Sequence, residues 1–227
     1  MPGWSKALLP LLSRLVAAAP QARAYAAAGH RSQWEALAAV GHTVNPCNSR
    51  LHPAVTEAGM ELESNEQQSV QEAYTPDSQC FGCGPSSEAG LRLRSFRVEG
   101  GLQATLQLDK KYQAFPGIIN GGIVSALFDC HGNWSAAVAL MDRACLPRPP
   151  LTLTRVMQVD YLEPTPPGEN LVVRSSVARV RESEQVGGGK AAVEVSLTLH
   201  QVLPNGGEKL LATGNGLFKR LGALRAL

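Results

Sequence analysis

Between Leu102 and Asp109 the chain alternates. Leu102, Ala104, Leu106 and Leu108 take one side, and Gln103, Thr105, Gln107 and Asp109 take the other. A period of two marks a strand with one buried face. Gly100-Gly101 before it reads as a hairpin turn, so Leu91–Val98 is expected to be its partner strand. Four more strands are expected at about Leu151–Tyr161, Leu171–Arg181, Ala191–Val202 and Lys209–Lys219. The third of these is clearest, with Ala191, Val193, Val195, Leu197 and Leu199 on one face. Gly187-Gly188-Gly189 and Pro204-Asn205-Gly206-Gly207 are the expected turns. Between the second and third strands the period lengthens to that of a helix, over about Ile119 to Asp142. Its apolar stripe is Ile119, Ile123, Ala126, Leu127, Cys130, Trp134, Ala137 and Met141, read as the face against the sheet.

The order is therefore β-β-α-β-β-β-β. Antiparallel hairpins can bury one long helix only by wrapping the sheet around it. The expected fold class is α+β: a hot-dog arrangement, with an antiparallel sheet around a central helix.

A second helical face holds Gly121, Gly122, Ser125, Asp129, Gly132 and Ala136, all small except the acid. A glycine in a helix interior costs about 1 kcal/mol relative to alanine. This face is therefore expected to meet a second backbone or a bound ligand closely. The amides at Gly121-Gly122 open the helix, where donors are unsatisfied and carry partial positive charge. Such amides can hold a carbonyl oxygen as negative charge develops on it. Asp129 follows about two turns later as a candidate nucleophile or base. The pair points to acyl transfer.

Composition adds the boundaries. The chain has 227 residues and is 44% hydrophobic, enough for one domain with a core plus an appendage. A net charge of +2 gives no global attraction to nucleic acid. The charge is uneven, however. Residues 1–34 hold Lys6, Arg14, Arg23 and Arg31 and no acid, and removing them turns +2 into −2. This basic, Ala-rich start is expected to be an organellar transit peptide, with mitochondrion favoured over chloroplast. Arg23-Ala24-Tyr25-Ala26 resembles a mitochondrial processing site. Pro10, Arg14 and Pro20 interrupt the only apolar run, so no stable membrane insertion is expected. Five scattered cysteines, an odd number, do not form a disulfide framework. The expected organisation is a transit peptide over 1–34, a linker or short helical extension over 35–79, a folded domain over 80–221 and a tail over 222–227.

Three motifs carry a resemblance. CFGCGPSSEAGLRLRSF (Cys80–Phe96), YQAFPGIINGGIVSALFD (Tyr112–Asp129) and LTRVMQVDYLEPTPPGE (Leu153–Glu169) occur in order. They resemble CFGCGxxNPxGLxLxF, YxGxPGxxHGGxxxxxxD and TxxxxVxYxxPxPxG of the hot-dog thioesterases of the PaaI-like, thioesterase superfamily member 4-like type. The resemblance covers roughly Cys80 to Leu221 and implies hydrolysis of acyl thioesters, on coenzyme A or acyl carrier protein, in lipid metabolism. It implies Asp129 as nucleophile or general base, Gly121 as the amide that polarises the carbonyl, and Thr154 as the residue that positions water or the carboxylate. Asn120, Gly122 and Ser125 are the expected substrate-binding neighbours. It also implies a homodimer, possibly a tetramer, with the acid of one subunit and the glycine of its partner sharing a site.

The chain departs from the pattern at Asn120, where the family keeps a histidine. The alternative function is an acyl-CoA-binding or regulatory protein with weakened turnover. Carboxylates ordinarily ionise near about pH 4, so a base of this kind needs no histidine to be charged at neutral pH. Ser86-Ser87 also departs from the pattern. An inserted stretch at Asp142–Pro150, with Arg143, Arg148 and three prolines, reads as an exposed basic loop.

Other candidates are weaker. Cys80 and Cys83 look like half of a zinc knuckle, but no second CxxC follows and the histidines show no paired spacing. No metal or cofactor is therefore expected. His131 points away from Asp129 and reads as structural. Cys130 and Cys145 lack a neighbouring base and do not read as nucleophiles. The triple glycine at 187–189 joins two strands and is not a phosphate loop. A hydratase would carry a His/Asp or His/Glu pair, and no histidine fits.

Overall fold

The computed structural model describes residues 68–144, 146, 148–181 and 191–223. The expected transit peptide, most of the expected linker, the triple glycine and Cys145 lie outside them. A short helix, α1 (Val70–Tyr74), leads into a hairpin of β1 (Phe96–Val98) and β2 (Gly101–Leu106). A small hairpin follows, β3 (Gln113–Phe115) with β4 (Ile118–Ile119), and delivers the chain to the long helix α2 (Gly121–Arg143). Four strands complete the domain: β5 (Pro150–Tyr161), β6 (Leu171–Arg181), β7 (Ala192–Val202) and β8 (Glu208–Ala223). They join β1 and β2 in one sheet, order β1-β2-β6-β7-β8-β5, with every pair antiparallel. The sheet packs on α2, which is the expected hot-dog arrangement.

The core lies between α2 and the sheet. Val124, Leu127, Phe128 and Leu140 of the helix meet Ala104, Leu171, Val173, Val193, Val195, Leu197, Leu199 and Phe218 of the strands. Phe128 and Phe218 are the largest fully buried side chains, and burying each is worth about 1.5–3 kcal/mol. The alternation read over β2 and β7 holds: Leu102, Ala104, Val193, Val195, Leu197 and Leu199 are all buried.

Four expectations need correction. The hairpin partner of β2 is Phe96–Val98 alone, not Leu91–Val98. The amides of Leu91 and Leu93 bond instead to the carbonyls of Phe81 and Gly82, and Arg92 at φ 51 takes the chain out of an extended path. The sheet-facing stripe of α2 is also rotated from the expected one. Its buried centre runs through Val124, Phe128, His131 and Ser135, while Ile123, Ala126, Cys130 and Trp134 are only partly buried. Those residues are apolar for a different reason: chain N-terminal to β1 covers that side, and Tyr74 of α1 stacks on Trp134 at 6.4 Å between centroids. Gly132 and Ala136 follow Asp129 along the helix but do not form an open small face with it. Both sit in the core, and a Cβ on Gly132 would lie 2.6 Å from the Phe218 ring. The packed domain also reaches back before Cys80, because Ser69, Val70 and Gln71 are fully buried.

Candidate active site

The site grows from one turn of chain. The backbone amide of Asn120 donates to Tyr112 O, which sets the residue at the mouth of α2. Asn120 is the N-cap, and its Oδ1 accepts from the Gly122 amide at 2.8 Å. Asparagine is among the best residues for this task. The Gly121 amide, one position earlier, has no hydrogen-bond partner among the described residues. It remains a free donor at the positive end of a helix dipole.

Down the helix, residues at i, i+4 and i+8 form a polar stripe against β5. Ser125 Oγ meets Tyr161 Oη at 2.7 Å. Thr154 Oγ1 donates to Asp129 Oδ1 at 2.6 Å. Asn133 Nδ2 donates to Thr152 O at 3.2 Å, and Thr152 Oγ1 donates back to Asn133 Oδ1 at 2.6 Å. The Thr154 bond has the length of a charge-assisted O–H···O⁻ contact. It fixes the half-buried carboxylate and occupies one of its two oxygens.

Tyr161 is a member of the site that the sequence reading did not assign, although it is the Tyr of the third motif. Its hydroxyl donates to Gly121 O at 2.8 Å, so its single proton is used there and Ser125 donates to it. Its ring and hydroxyl would lie 3.2–3.4 Å from a Cβ on residue 121, tighter than ordinary contact. Glycine at 121 lets the tyrosine close over the helix entrance.

A bulge brings these partners to one face. Along β5 the register against β8 shifts between Thr154 and Val156, leaving Arg155 as the extra residue. Thr152 and Thr154 face the helix before it, and Met157, Val159 and Tyr161 face inward after it. Strict alternation would have placed Thr154 and Tyr161 on opposite faces.

Gly121, Asn120, Gly122, Ser125, Asp129 and Thr154 thus all lie along one side of α2 and β5. They do not converge on one point. Eight residues of helix separate Gly121 from Asp129, a rise of about 12 Å. A carbonyl held at one end and attacked at the other spans roughly 7 Å.

Two other clusters lie nearby. His131 is fully buried in a satisfied chain: Gln71 Nε2 donates to Ser95 Oγ, which meets His131 Nδ1 at 2.8 Å, while Nε2 meets Leu102 O at 3.1 Å. The carbonyl can only accept, so Nε2 carries the proton and Ser95 donates to Nδ1. Desolvation pushes this imidazole down to about 4. The ring is structural and faces away from Asp129. The second cluster is Cys80, Cys83 and Cys130, whose sulfurs lie within 4.8 Å of one another. Hydrogen bonding from Cys130 pulls Cys80 below the ordinary thiol range, and the same contact pushes Cys130 above it.

Residues 116–190 match the family model described as Thioesterase superfamily. No curated protein matches the chain significantly. Among solved structures, a thioesterase superfamily protein from Shewanella loihica is 26% identical, with a TM-score of 0.40 over 57% of this chain and 90% of that one. The PaaI protein of the phenylacetic acid degradation operon of E. coli is 16% identical, with a TM-score of 0.43 over 59% of this chain and 82% of that one. Thioesterase superfamily member 2 from Mus musculus is 21% identical, with a TM-score of 0.40 over 56% of this chain and 84% of that one.

Proposed function

We propose that this chain, whose residues 116–190 match the Thioesterase superfamily model, is an acyl-thioester hydrolase. Its substrate is an acyl group on coenzyme A or acyl carrier protein. The observation that carries the reading is the Asp129 carboxylate, held at 2.6 Å by Thr154 and half-exposed beside an edge strand. The bond to Thr154 leaves the second carboxylate oxygen to attack the thioester carbon or to take a proton from attacking water. As the carbonyl oxygen gains charge, a helix-terminal amide stabilises it; losing one such donor typically costs on the order of 10²–10³ in kcat.

That amide comes from a second copy of the chain. The helical rise between Gly121 and Asp129 is too long for one chain to supply both groups to one carbonyl. β5 supplies the contact: it is twelve residues long and, among the described residues, pairs with β8 alone and ends the sheet. Its outer side exposes Leu153 and Val156, about half of each. A long apolar edge left open is an invitation to another strand. The proposed unit is a homodimer with two sites, each using Asp129 of one subunit and Gly121 of the other.

Asn120 is compatible with turnover in this scheme. Its side chain caps α2 through the Gly122 amide, a task that needs no imidazole charge. The test is hydrolysis of a panel of acyl-CoA and acyl carrier protein thioesters, set beside calorimetric binding of the same compounds. Release of free thiol at rates far above the spontaneous reaction supports the enzyme. Tight binding without product would replace it with an acyl-thioester-binding protein.

A further inference from the structure

The three thiols form a site that the proposed hydrolysis does not use. Cys80 and Cys83 belong to the tight CFGCG turn, closed by the Gly84 amide on Cys80 O at 2.8 Å. The chain after it pins this turn, through the Leu91 amide on Phe81 O and the Leu93 amide on Gly82 O. Cys130 comes from the middle of α2 and is half-buried. The turn lies directly against it: a Cβ on Gly82 would stand 2.4 Å from Cys130 Sγ. A side chain at 82 would displace Cys130 Sγ or move the turn off the helix. Two elements far apart in sequence are therefore packed so that three sulfurs converge.

The spacing suits a metal. Zinc binds thiolate at about 2.3 Å, so tetrahedral geometry puts neighbouring sulfurs about 3.8 Å apart. Cys80 Sγ and Cys130 Sγ are 3.7 Å apart. A disulfide would need about 2.05 Å. Cys83 is buried and anchors the site inside, while Cys80 is exposed and leaves one side open to solvent.

We propose that Cys80, Cys83 and Cys130 bind one d¹⁰ metal ion, zinc, as a three-thiolate site whose fourth position faces solvent. Thiolates select zinc over hard cations such as magnesium and calcium. The ion would displace the thiol protons and tie the CFGCG turn to α2, one residue beyond Asp129. The sequence showed only half a knuckle, because the third ligand lies on another element.

Cobalt(II) chloride is the probe, titrated anaerobically into the reduced, chelator-stripped full chain. The expected result is one ion per chain, a thiolate-to-cobalt charge-transfer band in the near ultraviolet, and displacement by zinc. Groups outside the ligand shell alone change metal affinity ~10–100-fold, so Cys80→Ser and Cys130→Ser should each weaken binding by at least ~10-fold and diminish the band. Cys80 is exposed, so its variant is expected to fold, with circular dichroism as the check. The proposal is overturned if the wild type gives no band, or if the folded triple variant Cys80→Ser/Cys83→Ser/Cys130→Ser keeps it. Peptide mapping that finds a Cys80–Cys130 disulfide in place of metal overturns it equally.

Discussion

Asp129, Asn120 and His131 occupy one helix within a few turns, and their surroundings assign them different work. Asp129 keeps an oxygen open while Thr154 holds the other. Asn120 spends its carbonyl oxygen on the Gly122 amide. Removing that cap should cost about 1 kcal/mol of stability. Asn120→Ala is therefore expected to lower the denaturation midpoint while leaving kcat within about tenfold of wild type, since the Gly121 amide does not depend on the side chain for its proton. A loss of turnover near that of an Asp129 variant would give Asn120 a direct part in the chemistry. His131 is buried neutral, with a folded pKa pushed down to about 4 by desolvation. Unfolding returns it to about 6.5, so the unfolded chain binds more protons between these values. Its contribution is fully present above about pH 6.5 and is lost as pH falls toward about 4. Denaturant titrations across that window should show this decline, and His131→Gln should flatten it. A decline of equal slope in the variant would place its cause elsewhere.

At the scale of elements, the polar stripe of α2 against β5 sets the candidate site, and only part of it was legible. Asp129 and Thr154 could be matched through motifs, and Gly121 stood out as a helix-opening glycine. The bulge at Arg155 could not be read, because no residue type marks a register shift on a strand of this composition. Without it, Tyr161 falls on the wrong face and its bond to Gly121 O is invisible. The rotated stripe of α2 was hidden for another reason. Periodicity finds apolar residues without saying what covers them, and here the sheet covers one side while α1 and the chain before β1 cover another. A polar residue also sits at the buried centre. His131 is tolerated there because Ser95 and Leu102, both distant in sequence, satisfy its two nitrogens. The open edge of β5 has its own consequence. Leu153→Glu with Val156→Glu should convert the proposed dimer into folded monomers in light scattering and abolish turnover, because each proposed site then loses its second subunit. Monomers with full activity would contradict the shared site.

For the whole molecule, the succession of the main elements along the chain and the wrapping of the sheet around one helix followed from the alternation of β2 and β7 and the long period of α2, whereas the order of strands within the sheet did not. The extent of the domain did not follow so well. Gln71 lies in polar sequence that reads as linker, yet it is fully buried and bonds to Ser95 through both its amide nitrogen and its oxygen. Glutamines look alike in a linker and in a buried network until their partners are known. The central claim concerns the chemistry: a single carboxylate, Asp129, drives thioester hydrolysis in a site shared by two copies. The direct measurement is steady-state turnover of the best acyl thioester by Asp129→Asn, with the denaturation midpoint and substrate affinity measured on the same preparation. The expected result is a fall in kcat of about three orders of magnitude or more, with fold and binding retained. Undiminished turnover by the folded variant would contradict the account.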